Sequence, residues 1–374
     1  MLNFRIFTLA AIAAASIGAA AQTASTLKDA YRNDFKIGAA INTQQITGLD
    51  TRGDAIVAAQ FDSITPENVL KWENVHPKPE VYSFDLPDKY VAFGEKNHMF
   101  IVGHCLVWHS QTPAWVFRDE KGNFVDRETL LKRMHDHIQT VVSRYKGRVQ
   151  SWDVVNEALN EDGTLRQSPW LKIIGEDYIA KAFEFAHEAD PQAQLTYNDY
   201  NLENEPKRKG AVALITKLKA AGVPVTSVGL QGHLTIDAPS AEDVDATIAA
   251  FGKLGVKVAI TELDIDVLPR DPRMFGAEVS LELQQDPKLN PYTNGLPPAA
   301  QKALADRYAS LFGVFLKHRN VVNRVTFWGV TDAESWLNGW PIRGRTSYPL
   351  LFDRSGKPKQ AFNAVIEAAA SQKK

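Results

Sequence analysis

The chain has 374 residues and a formal net charge of -2, with 44% hydrophobic and 23% charged residues. So even a balance removes the electrostatic reason to expect a nucleic acid or an anionic membrane surface as partner, and a neutral substrate suits it better. A single cysteine, Cys105, excludes an internal disulfide, so stability must come from a large buried core.

Met1 to Arg5 form a short basic start, followed by an apolar, Ala-rich run from Ile6 to about Ile17 and by Ala19-Ala20-Ala21 before Gln22. That is the pattern of a signal peptide with an A-x-A cleavage site. Residues 1–21 are therefore set apart as a signal peptide and residues 22–374 as one domain, exported to the periplasm or the medium. The apolar run is too short to read as a membrane span.

Eight short apolar runs follow: KIGAAIN, FDSIT, MFIVGHCLVW, VQSWDVV, AQLTYN, TSVGLQG, VKVAITELD and RVTFWGV. Longer amphipathic stretches separate them, which predicts parallel strands joined by crossover helices. Eight such units point to an α/β fold of the (β/α)8 TIM-barrel type in a single domain, rather than to an open sheet. Cys105, inside the third run, reads as a buried thiol. Between the third and fourth runs, Leu131, Met134, Ile138, Val141 and Tyr145 recur at helical spacing, so one face can pack on the sheet. Ser240 with Asp243 reads as a helix start. A stretch with six prolines, Pro269 to Pro298, follows the seventh run. In a barrel that position is a loop on the catalytic face, so it is expected to shape a cleft.

Polar and aromatic residues gather where the predicted strands end, which is where a barrel builds its site. Glu67, Asn68 and Lys71 follow the second strand, and His104, Trp108, His109 and Gln111 the third. Asn156 and Glu157 end the fourth, Asn198, Asp199 and Tyr200 the fifth, and Gln231 and His233 the sixth. Glu262 and Asp264 end the seventh, and Trp328 and Trp336 follow the eighth. Amides and carboxylates that bond hydroxyls, together with rings that stack on C–H faces, suit a sugar. No metal-ligand spacing, phosphate loop or dinucleotide fingerprint is present, so no metal and no cofactor are expected.

Glu157 and Glu262, on strands four and seven, would face each other across the mouth, as cleavage of a glycosidic bond requires. Strict alternation cannot point both Asn156 and Glu157 inward, so a bulge or an end of regular pairing is expected there. Glu262 and Asp264 are two apart and share a face, where His233 from the neighbouring strand could bridge them. Such a histidine would keep Glu262 ionised, whereas Glu157 needs a raised pKa to act first as acid and then as base. Singly, each residue has a blander reading: Asn-Glu as a helix start, a tryptophan as packing, Lys71 as a solvated charge. Their joint placement on successive strand ends carries the argument.

From about Ile37 to Phe362 the chain resembles the family 10 glycoside hydrolases, the (β/α)8 endo-1,4-β-xylanases. The segments ITPENVLKWE, GHCLVWHSQTPAW, WDVVNEAL, YNDYN, QGH and ITELD are similar to that family's strand-end motifs. The resemblance implies a retaining endo-xylanase with Glu157 as acid/base and Glu262 as nucleophile, supported by Asp264, His233 and Asn156. It implies that Glu67, Asn68 and Lys71 hold sugars on the non-reducing side of the cut, and that His104, Trp108 and Gln111 contact substrate. Asn198 and Tyr200 would line the cleft with Gln231, and Trp328 and Trp336 would cover the sugar at the cleavage site. Asp62, Val69-Leu70 and Cys105 depart from the family's commoner residues. The expected partner is xylan or a xylo-oligosaccharide, bound by a monomer. A barrel glycosidase acting on β-glucan and a catalytically silent xylan-binding protein are the alternatives.

Overall fold

A computed structural model describes residues 26–275 and 279–371; the signal-peptide reading of residues 1–21 lies outside them. The strands run Lys36–Ile41, Ser63–Pro66, Phe100–Trp108, Ser151–Asn156, Gln194–Asp199, Ser227–Leu230, Lys257–Asp266 and Val322–Phe327. Neighbours in this order pair in parallel, and the eighth pairs with the first, Lys36 opposite Arg324 through Ala39 opposite Phe327. The sheet is therefore closed into the expected (β/α)8 barrel. The strands read as near-continuous apolar runs because they are buried on both faces, inside the barrel and under the helices.

Two details differ from the sequence expectation. TSVGLQG does not form one strand: pairing stops at Leu230, Gly232 takes a φ of 80°, and a short segment His233–Thr235 resumes alongside Asp264–Asp266. In the helix Arg127–Arg144 the buried stripe is Leu130, Met134, His137, Ile138, Val141 and Val142. Leu131 lies on the flank and is only partly buried, because at 100° per residue it falls beside the stripe rather than on it. Asp126 caps this helix by accepting the Thr129 N–H at 2.7 Å. Ser240 caps Ala241–Lys253 in a reciprocal box with Asp243, as its sequence suggests.

The Pro269–Pro298 stretch carries two short 3-10 turns, Pro272–Phe275 and Pro287–Leu289. It is fastened to the loop after strand eight. The fully buried Arg345 side chain donates to Leu289 O, Pro269 O and Asp266 Oδ2, while Tyr348 Oη donates to Tyr292 O at 2.6 Å. These bonds hold an otherwise irregular segment against the mouth. The family departures are structural: Asp62 accepts the Ile37 N–H at 2.9 Å, and Val69, Leu70 and Cys105 are buried.

Strand five is tied to the helix Glu205–Ala220 by Lys207, which is fully buried with its Nζ 3.0 Å from Asp199 Oδ1. Removing one partner of such a pair leaves a buried charge without compensation. Lys207→Met is expected to destabilise the fold by about 3–5 kcal/mol in urea denaturation. A loss below about 1 kcal/mol, the size of an exposed pair, would contradict that role.

Candidate active site

Strand four stops pairing at Asn156, which stands opposite Trp108 on one side and Asn198 on the other. A register shift between Asp153 and Val155 precedes this end. Glu157 then takes a φ of 57° while its N–H still reaches Asn198 O at 2.9 Å. This left-handed turn, costing about 1–2 kcal/mol in a residue with a Cβ, lets Asn156 and Glu157 both face the mouth. The expected end of regular pairing is thus present.

Glu157 is buried among donors. Trp108 Nε1 bonds Oε2 at 2.9 Å, and Gln231 Nε2 bonds Oε1 at 3.0 Å. Arg166 Nε holds the Glu157 carbonyl at 2.9 Å. Burial raises the Glu157 pKa above the ordinary carboxylate range against those two bonds, and the charges of Asp199 and Glu262 add to the rise.

Glu262, equally buried, has the opposite environment. Its Oε2 lies 3.2 Å from His233 Nε2, and its Oε1 accepts from Asn198 Nδ2 at 2.8 Å. Burial would raise its pKa, but the His233 bond, the nearby His104 and the Asn198 bond outweigh it and leave Glu262 below the ordinary range. His233 is held on its other side by Asp264, Nδ1 to Oδ1 at 3.1 Å, and Asp264 in turn accepts from Trp336 Nε1 at 2.7 Å. Burial opposes the charge on His233, yet Asp264 and Glu262 together push its pKa up to about 10.

Asn198 requires a correction. It was expected to line the cleft, but it is fully buried beneath it. There it donates to both Asn156 Oδ1 and Glu262 Oε1 and accepts from Thr261 Oγ1 at 2.6 Å. Strand alternation shows which face a residue takes but not whether it reaches the rim or stays in the layer below. Gly229 makes room for it: a Cβ there would stand 2.2 Å from Asn198 Oδ1.

The remaining expected residues converge on one cleft. Lys71 is only 8% exposed, not a solvated charge, and its Nζ donates to Asn68 Oδ1 and Gln111 Oε1 at 2.9 and 2.8 Å. Glu67 lies alongside, its pKa pushed up to about 7 by burial, with Lys71 opposing and Glu334 adding to the rise. His104 is fixed through Nδ1 to Asp153 Oδ2 at 2.9 Å, and its ring stands edge-on to Trp328, 5.5 Å between centroids. Tyr200 lines the cleft with its hydroxyl accepting from Arg166 Nη2 at 2.9 Å. Asp264 lies fully buried behind His233.

Five lining residues escaped the sequence reading: Asn201, Arg270, Met274, Val279 and Trp340. Trp340 stacks on Trp336 at 4.7 Å and 21°, backing the ring that bonds Asp264. Its place in WLNGW, four after Trp336, was a signal for it. Arg270, Met274 and Val279 lie on the Pro269–Pro298 stretch, whose position after strand seven pointed to the cleft without singling out these side chains, and Asn201 follows Tyr200 in a left-handed turn.

A barrel mouth with two unlike carboxyls, a charged histidine and an indole wall defines a glycoside-cleaving class of site. Comparison with known proteins agrees with this geometry. The family model described as glycosyl hydrolase family 10 matches residues 26–368. The chain is 46% identical over 351 residues to an endo-1,4-beta-xylanase A of Xylanibacter ruminicola, covering 94% of this chain and 95% of that one. It is 40% identical to endo-1,4-beta-xylanase B of Paenibacillus barcinonensis, covering 91% of this chain and 97% of that protein. A solved endoxylanase of the same family, from a sugarcane soil metagenome, superposes with a TM-score of 0.88 at 48% identity, over 92% of this chain and 100% of that one. The chain belongs to glycosyl hydrolase family 10.

The charge on His233 is directly measurable. Its contribution to stability is complete below its unfolded pKa of about 6.5 and is lost as pH rises through about 10. Ring 15N chemical shifts are expected to show an imidazolium at pH 8; a titration midpoint near that of a free imidazole would contradict the arrangement.

Proposed function

We propose that the protein is an endo-1,4-β-xylanase that hydrolyses internal xylosidic bonds with retention of anomeric configuration. The single observation that carries this reading is the unlike bonding of two buried carboxyls at one cleft: Glu262 against His233 and Asn198, Glu157 against the Trp108 indole and the Gln231 amide. Glu262, ionised and aimed by His233 and Asn198, attacks the anomeric carbon while Glu157 delivers its proton to the departing oxygen. A covalent glycosyl-enzyme results. In the second half, Glu157, now a carboxylate, takes a proton from water, the water oxygen bonds the anomeric carbon, and Glu262 is released.

Lys71, Asn68, Gln111 and Glu67 form the polar wall for sugars on the non-reducing side, with His104 and Trp328 at the sugar being cut. Gln231 and Asn156 hold Glu157, and Tyr200 faces the leaving group. Xylan rather than β-glucan fits the indole wall. Trp336 is tied to Asp264 and backed by Trp340, so this side of the site has little freedom to widen for a hydroxymethyl group. The relatives named above bear the same activity in their names, and family membership supports retention. The basic and apolar start of the chain, closing in Ala19-Ala20-Ala21, supports export to where a polymeric substrate lies; the enzyme is taken to act as a monomer.

Reducing-sugar release is expected from xylan and not from carboxymethyl cellulose, with the β-anomer formed first in 1H NMR of the hydrolysate. Release of the α-anomer would exclude retention, and binding of xylan without hydrolysis would restore the silent binder. Glu262→Ala is expected to abolish turnover. Glu157→Ala should lose about 10²–10⁴-fold on substrates with poor leaving groups and far less on activated aryl glycosides. Equal losses on both would remove Glu157 from the role of acid.

A further inference from the structure

Strand seven ends at Asp266, whose fully buried carboxylate stands between two arginines. Arg345, also fully buried, donates Nη1 to Asp266 Oδ2 at 2.9 Å and directs Nε and Nη2 to Leu289 O and Pro269 O. Arg270 reaches the same oxygen only through Nε, at 3.2 Å, and its Nη2 makes a long contact of 3.4 Å with Leu234 O. Asp266 Oδ1 accepts the Leu268 N–H at 3.0 Å. One carboxylate thus answers two guanidinium charges. The surplus belongs to Arg270, the member of the trio that lines the cleft. Its outer edge, Nη1 with Nη2, presents the two parallel donors that match a carboxylate fork. Among the described residues, no side chain takes up that edge.

The order of strands places this edge. In a closed ring of eight, strands six and seven stand across the mouth from strands two and three. Lys71 and Gln111 follow the latter pair, on the non-reducing side of the cut. Arg270 follows strand seven and contacts the backbone of the short segment His233–Thr235 that follows strand six, so it flanks the leaving-group side. Met274 and Val279 beside it are apolar. Xylose hydroxyls can accept single bonds from that outer edge, but a planar anion matches both of its parallel donors at once.

We propose that Arg270 is a specificity-determining residue that binds the carboxylate of an acidic sugar substituent, such as a uronic acid, carried on the leaving-group portion of the xylan chain. This inference rests on the reading of the protein as a xylan hydrolase. The charge is only slightly exposed, so salt screens it less than it would a surface lysine.

Three substrates of equal backbone length test it: a uronate-bearing xylo-oligosaccharide, the same compound with its carboxyl reduced to an alcohol, and the unsubstituted oligosaccharide. The readout is the ratio of kcat/KM for the acidic substrate to that for its reduced counterpart, which cancels any general effect of a variant on the cleft. In the unaltered enzyme the ratio is expected to exceed about 10. Arg270→Gln should bring it close to one, and Arg270→Lys, which keeps the charge and loses the fork, should leave it in between. A ratio near one in the unaltered enzyme, or one that Arg270→Gln does not change, overturns the proposal. Failure to hydrolyse the unsubstituted oligosaccharide and xylan would instead overturn the reading of the enzyme itself, so the two failures are distinguishable.

Discussion

His233 sits with one ring nitrogen 3.1 Å from Asp264 and the other 3.2 Å from Glu262, and this contact fixes charges that burial alone would neutralise. A carboxylate sealed away from water ordinarily takes up a proton, and an imidazolium ordinarily gives one up. Placed together, each supplies the charge the other needs. Asp264 is held by Trp336, and Trp336 by Trp340, so the indole wall of the cleft and the ionisation of Glu262 depend on the same set of contacts. Breaking a buried arrangement of this kind by removing one partner costs on the order of 3–5 kcal/mol, more than a neutral hydrogen bond contributes.

Glu157 is the counterpart. An indole and two amides bond its oxygens, His109 Nδ1 stands off at 4.0 Å, and the nearby charges of Asp199 and Glu262 are negative. The proposed division of labour between the two carboxyls follows from this difference in neighbours. The barrel makes it possible by bringing strands four to seven to one rim with their ends in register: Asn156 opposite Asn198, Asn198 opposite Gly229, and His233 opposite Asp264. The Asn198 amide, bonded to both Asn156 and Glu262, couples the two halves of the site from below.

Much of this was legible in the sequence, for physical reasons. Strands buried on both faces must be apolar throughout, so eight runs stand out; Glu262 and Asp264, two apart, must share a face. Ser240 and Asp243 satisfy free N–H groups at a helix start whatever the tertiary context. The parts that could not be read depend on contacts between distant segments. The cleft-facing position of Arg270 and Met274 relies on a loop that Arg345 fastens from 79 residues beyond Asp266. The depth of Asn198 relies on Gly229 leaving space on the next strand. The left-handed turns at Gln111, Glu157 and Asn201 occupy residues with side chains, so no glycine announces them. Lys207, which precedes Arg208 and Lys209 in a basic run, is drawn inside by Asp199.

The opposed ionisation of the two carboxyls is the claim on which the proposed mechanism stands. It is tested most directly by 13C NMR titration of the enzyme labelled at glutamate side-chain carboxyls, with Glu157→Gln and Glu262→Gln used to assign the two resonances. Glu262 is expected to titrate below the ordinary glutamate range and Glu157 above it. A reversed order, or two midpoints together at the value of an exposed glutamate, would contradict the account.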